Sequence, residues 1–95
     1  MKHLVMVKWN ESVADKKAMA EEVLDLFKKA QAENEEIGEI ELVFNAVDLP
    51  NRYDCLFIIQ LEKKDIPVWN NCRPHLIWKN DYAKYVQSKA IFDWE

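Results

Sequence analysis

Five consecutive apolar residues, Cys55-Leu56-Phe57-Ile58-Ile59, place the strongest constraint on what this chain can fold into. Successive side chains of a β-strand point to opposite faces, so a run without polar alternation needs cover on both faces of its sheet. The turn residues Val47-Asp48-Leu49-Pro50-Asn51-Arg52 precede the run, and the strand is predicted over Tyr53 to Leu61. A chain of 95 residues without repeats, low-complexity segments or linkers makes one domain, residues 1–95. Helices of such a chain can cover one side of the sheet, and the other side needs a different partner.

The flanking elements follow from periodicity. His3 to Trp9 reads as a strand, with His3, Val5, Val7 and Trp9 on one face and Leu4 and Met6 on the other. Ser12 offers a capping oxygen and Asp15 places negative charge in a first turn, which predicts a helix from about Val13. Its apolar stripe is Ala20, Val23, Leu24, Phe27, Ala30 and Gln31, opposed by the charged Glu21, Glu22, Asp25, Lys28 and Lys29. The run Glu33 to Glu36, ahead of the single glycine Gly38, is expected to end that helix as a solvated terminus.

Glu39 to Phe44 alternates as a second strand, with Ile40, Leu42 and Phe44 sharing a face. Beyond the Tyr53-to-Leu61 strand, a short helix or turn carries Pro67, Val68 and Trp69. Pro74 opens another helix, on which His75, Trp78, Tyr82 and Tyr85 fall on one face, and Lys89 to Trp94 is the last strand. The order β-α-β-β-α-β gives an α+β, ferredoxin-like domain: a four-stranded antiparallel sheet with helices on one side. Leu4, Met6, Leu56 and Ile58 then project from the uncovered side. A contiguous apolar patch of that kind is rarely left in water, and twofold packing against a second copy hides it. A homodimer is expected.

Composition narrows the function classes. A formal net charge of −4 argues against nucleic acid or an anionic membrane surface as partner. No apolar stretch approaches the roughly 20 residues that span a bilayer. Cys55 and Cys72 form no CxxC pair and no signal-like segment precedes the first strand, which fits a reducing cytoplasm. Two distant histidines and two unspaced cysteines make no recognisable metal-ligand set, and the sequence has no glycine-rich phosphate loop, nucleophile elbow or redox motif. Neither a metal nor another cofactor is called for.

His75 is the one interior candidate for proton chemistry near neutral pH. It stands in a first helical turn, where the macrodipole disfavours the imidazolium, so a neutral ring can accept a proton as a general base. The alternative is a histidine that packs or caps at a helix end. His3 lies on the helix-covered strand face and reaches the same interior, unless it is half exposed at the sheet edge. Asp93, beside Ile91 on the last strand, can orient a histidine or take a proton, or else makes a structural hydrogen bond. Val5, Val7, Phe57 and Ile91 on the strands, with Trp69, Trp78 and Tyr82, are placed to line a flat cavity suited to a small aromatic or polyketide-like ligand. The same residues form plain core if Trp69 and Trp78, with Trp9, fill the space.

Several of these segments together resemble a known family. The opening Lys2-His3-Leu4-Val5-Met6-Val7-Lys8, the Tyr53-to-Leu61 strand, the Pro74-His75 helix start and the closing Ile91-Phe92-Asp93-Trp94 resemble the stress-responsive α/β-barrel family, also called dimeric α/β-barrel proteins. The resemblance spans nearly the whole chain. It implies a dimer whose two sheets form a barrel, with room for a cavity between sheet and helices in each protomer. In the cyclase branch of that family, the cavity folds a linear polyketide, and a histidine with a tyrosine partner assists an intramolecular aldol condensation. By resemblance, the helix histidine falls on His75, the first-strand histidine on His3, the last-strand aspartate on Asp93 and the tyrosine on Trp69.

Two departures stand out. An indole has an N–H donor but no titratable hydroxyl. The family's His-Pro-x-His element reads Cys72-Arg73-Pro74-His75 here, with only the second histidine kept. Tyr82 and Tyr85 carry hydroxyls that replace the missing phenol if the fold brings them near. Three functions remain open: a dimer that binds a small, largely apolar ligand without an assigned activity, a cyclase- or lyase-like enzyme with His75 as base, and a non-catalytic structural dimer.

Overall fold

The computed structural model describes residues 1–95. In chain order the elements are β1 (Lys2–Trp9), α1 (Lys16–Glu33), β2 (Ile40–Phe44), β3 (Cys55–Gln60), α2 (Ile66–Asn71), α3 (Arg73–Asp81) and β4 (Val86–Trp94), with 3-10 turns at Lys63–Asp65 and Ala83–Tyr85. The strands form one antiparallel sheet in the order β2-β3-β1-β4. This is the ferredoxin-like plan, with its second helical segment divided in two.

The division has a local cause. Pro74 lacks the N–H that would continue α2, and its ring conflicts with the carbonyl four residues back, that of Asn70. The chain therefore passes through Cys72 in extended conformation, φ −68° and ψ 153°, before α3 begins. The helix break places the Asn70 carbonyl within reach of the His75 ring.

Element ends moved for equally local reasons. The first helix begins at Lys16 and not at Val13, because the Asn10 side chain holds both the Ser12 hydroxyl (2.5 Å) and the Ser12 amide (3.0 Å) in a turn. Asp15 becomes the cap instead, its Oδ1 accepting the Ala18 amide at 3.0 Å. On the buried face of α1, Leu26 joins Ala20, Val23, Phe27 and Ala30, while Leu24 is only partly buried and Gln31 is exposed. The helix ends at Glu33, within the acidic run as expected. β3 is shorter than predicted, and β4 begins three residues earlier, at Val86. The final helix stops at Asp81, so Tyr82 is its cap and Tyr85 lies in the following turn.

Strand register decides which residues share a face. Under the helices, Leu42, Phe57, Val5 and Ile91 form one row across the sheet, and Ile40, Ile59, His3 and Asp93 form the next. Val5 is 3% exposed and Ile91, directly beside it, is 51% exposed. The helical layer therefore ends between β1 and β4. On the opposite face, Glu41, Ile58, Leu4 and Phe92 form one row, and Val43, Leu56, Met6 and Ala90 another. No helix lies there, and Phe92 stands 65% exposed.

Gly38, at the entry to β2, packs against β3 more tightly than a side chain allows. Its N–H donates to the Gln60 carbonyl at 2.7 Å, and an added Cβ would lie 2.9 Å from that same oxygen. Gly38→Ala is expected to cost about 1–3 kcal/mol, the usual range for overpacking. Urea unfolding checks this, and an unchanged midpoint would show that the β2 connection yields freely.

Candidate functional site

Trp69 of α2 is fully buried and stands between the two histidines of the chain. Its ring meets His3 at a centroid distance of 6.2 Å and His75 at 5.2 Å, both edge-on. On its other side it meets Phe27 of α1 at 5.0 Å, and Phe27 in turn meets Phe57 at 5.0 Å and Trp78 at 5.6 Å. Edge-to-face packing suits the aromatic quadrupole and fills the interior densely. Val5, Val7 and Phe57 belong to this solid core, with exposures of 3%, 0% and 0%. Trp78, 4% exposed, continues it towards Trp9 at 6.1 Å.

His3 and Asp93, neighbours across β1 and β4, form a direct pair. Nδ1 of His3 lies 2.5 Å from Oδ1 of Asp93. The histidine side chain is almost wholly buried, whereas the carboxylate remains 44% exposed, since β4 is the uncovered edge strand. A carboxylate accepting from Nδ1–H fixes the tautomer and leaves Nε2 free to accept a proton.

His75 is chemically different. Burial holds its imidazole down to about 4, against the pull of the Asn70 carbonyl, while Lys89, Lys79 and His3 add to the depression. At neutral pH the ring is uncharged, as expected from the sequence, but the main cause is burial. Its Nδ1 is buried without a hydrogen-bond partner, as is Nε1 of the adjacent Trp69. Leaving such an atom unpaired costs about 1–3 kcal/mol. Neither residue lines a concavity of the structure.

Neither Tyr82 nor Tyr85 is placed to supply the phenol. The Tyr82 hydroxyl donates to Oε2 of Glu22 at 2.7 Å, and burial followed by that carboxylate pushes its pKa up to about 12. Tyr85 packs edge-on against Tyr82 at 6.2 Å. The thiols are quiet as well: burial raises both, Cys55 to about 12.

Open space lies along the seam where the helical layer stops. A concavity of about 190 Å³ is lined by Trp78, Lys79 and Ala83 on one side and Val86 and Lys89 on the other. Along β4 the same strand face continues through Ile91 to Asp93, and along α3 Lys79 follows His75 by one helical turn. The seam thus runs from the concavity towards the two histidines. Lys79 and Lys89 were not singled out from the sequence, although their spacing from His75 and Ile91 carries the signal. A larger concavity of about 310 Å³ lies at the other end of the sheet, against Met6, Val43, Phe44 and Leu56, and includes neither histidine.

The fold recurs in solved structures. A dimeric ferredoxin-like protein of unknown function from Thermobifida fusca superposes with a TM-score of 0.75 at 15% identity, covering 96% of this chain and 85% of the other. A DABB family protein with a ferredoxin-like fold from Mesorhizobium loti gives 0.72 at 12% identity, over 99% and 93%. The hydroxynitrile lyase from Passiflora edulis gives 0.78 at 10% identity, over 98% and 89%. The likeness is one of fold, the ferredoxin-like fold named for the first two. No family model matches the sequence, and no curated protein matches it.

The depressed His75 makes stability depend on pH in a defined direction. An unfolded ring protonates near 6.5 and the folded ring only near 4, so unfolding takes up a proton between those values. The contribution is present above pH 6.5 and is lost as pH falls through 4. Discounted for partial exposure, the loss is on the order of 1–2 kcal/mol. Urea midpoints at neutral and acid pH should differ less in His75→Gln than in the native protein. An equal difference in both would remove His75 as a cause.

Proposed function

We propose that this chain acts as a homodimeric α/β-barrel protein that binds a small, largely apolar or aromatic ligand along the seam between α3 and β4. The observation that carries the proposal is the pairing of His3 with Asp93 beside a neutral His75, with Trp69 between the rings. A ligand oxygen taking the Trp69 N–H and the His75 nitrogen would satisfy two of the three unpartnered buried atoms, the third being Nε1 of Trp9. Its other polar edge would face Nε2 of His3.

The chemistry available there is proton transfer. A base held near 4 is a weak acceptor at neutral pH, so His75 suits hydrogen bonding to the ligand better than deprotonation. His3, oriented by Asp93, is the better acceptor for an acidic O–H or C–H proton. A lyase-like or polyketide-cyclase-like step begins with such a transfer, and the fold likeness to a hydroxynitrile lyase supports the lyase-like form. The second reading is a non-catalytic structural dimer, favoured by the complete burial of Trp69 and by the absence of His75 from the walls of any concavity. Two free, buried thiols fit a cytoplasmic setting, and no helix is long and apolar enough to cross a membrane.

Assembly rests on the helix-free sheet face. Leu4, Met6, Leu56 and Ile58 occupy its centre, with Val43 and Phe92 exposed beside them. The same face of a second copy would cover it, as befits a fold whose solved examples include dimeric proteins. Sedimentation should give twice the chain mass of 11.3 kDa, and Met6→Glu with Phe92→Glu should give a monomer. A native monomer at micromolar concentration would overturn the dimer.

Ligand binding is tested by NMR titration with 2,4-dihydroxyacetophenone, a small phenolic ketone, against the native protein, His3→Gln and His75→Gln. Saturable shifts at Trp69, His75 and Ile91 are expected, weakened by about tenfold in either variant, as for a lost buried hydrogen bond. Absence of binding at millimolar ligand, or binding indifferent to both substitutions, moves the assignment to the structural dimer.

A further inference from the structure

The seam concavity carries a charge pattern that the rest of the molecule does not repeat. Lys79 on α3 and Lys89 on β4 stand on its opposite walls, over an apolar floor of Trp78, Ala83 and Val86. Neither forms a salt bridge, in a chain with 17 acidic and 13 basic residues. Lys16 and Lys17 line a different concavity, but there Asp48 and Asp54 stand on the same walls and Lys16 pairs with Asp54 at 3.7 Å. No carboxylate is among the residues that line this concavity, and the nearest one along the β4 face, Asp93, is paired with His3.

We infer that the seam site selects organic carboxylates, with Lys79 and Lys89 clasping the carboxylate and the apolar body of the ligand lying on Trp78 and Val86 and extending along Ile91. This rests on the proposed ligand site and names its substrate class. Two like charges facing one small apolar space repel each other, and a bound anion removes that repulsion while gaining two charge-assisted hydrogen bonds. The volume of about 190 Å³ suits a single ring, since a cavity of about 150 Å³ accommodates benzene.

Spacing sets the length of the ligand. Lys89 and Ile91 are two residues apart on one strand face, or about 6–7 Å at the usual rise. That is the span of one para-substituted ring, and it directs the end opposite the carboxylate towards the histidines. The effect of both lysines on the His75 ring agrees with their facing the same space. The seam lies on the helix side of the sheet, so the proposed dimer face leaves it open.

The test compares benzoate with its uncharged isostere benzamide by amide NMR titration at low ionic strength, on the native protein and on Lys79→Gln/Lys89→Gln. Both lysines are exposed, so the double variant should fold, which circular dichroism checks. Benzoate is expected to shift Lys79, Ala83, Val86 and Lys89 and to bind about tenfold more tightly than benzamide, with the advantage lost in the double variant and at high salt. Equal binding of the two probes at these residues overturns the carboxylate preference and leaves the seam as a site for neutral ligands. Benzoate shifts elsewhere, unchanged affinity in the double variant, or no benzoate binding also overturn the carboxylate inference. The phenolic ketone titration decides the ligand site separately.

Discussion

The packing of Trp69 against Phe27 is the contact on which the architecture turns. It joins α2 to α1 above the sheet, and through Phe57 it anchors both helices to β3. Because both rings are fully buried, the space between sheet and helices that a ligand would otherwise occupy is solid. On the β4 side, room remains where the helical layer ends. The location of the candidate site follows from what the core excludes.

The same core sets the chemistry of the two histidines apart. His3 sits at the margin of the helical layer, close enough to the edge strand to reach the partly exposed carboxylate of Asp93. His75 sits on α3 with its ring against Trp69 and the Asn70 carbonyl, and burial drives it to the neutral form. One histidine is held by a carboxylate and the other is uncharged at neutral pH.

Helix joints reinforce the layout. Arg73, at the start of α3, makes a two-nitrogen contact with the Glu33 carboxylate at the end of α1, including Nε to Oε1 at 3.1 Å. The contact holds the Glu33 carboxyl below its ordinary range and raises Arg73. Both groups are exposed, so the pair aligns the two helices more than it stabilises them. Pro74, next in the chain, breaks the helix and turns His75 inward. The charged run expected to be a solvated terminus therefore includes one residue with a positioning role.

The sequence by itself determined the element order, the inward faces of β1 and β3, the helical stripe through Phe27 and the apolar outer face of the sheet. These depend on local periodicity, which steric and solvation rules translate directly into faces. Helix boundaries were less legible, because a single side chain such as Asn10 can divert Ser12 from capping. Site composition was only partly legible. His3, His75, Trp69 and Asp93 do come together, but the tertiary structure alone decided that Val5, Val7 and Phe57 are sealed in the core while Lys79 and Lys89 face open space. Periodicity tells which way a side chain points. Where a packed layer stops depends on the summed volume of Trp69, Phe27 and Trp78 against a sheet one strand wider than the helices covering it.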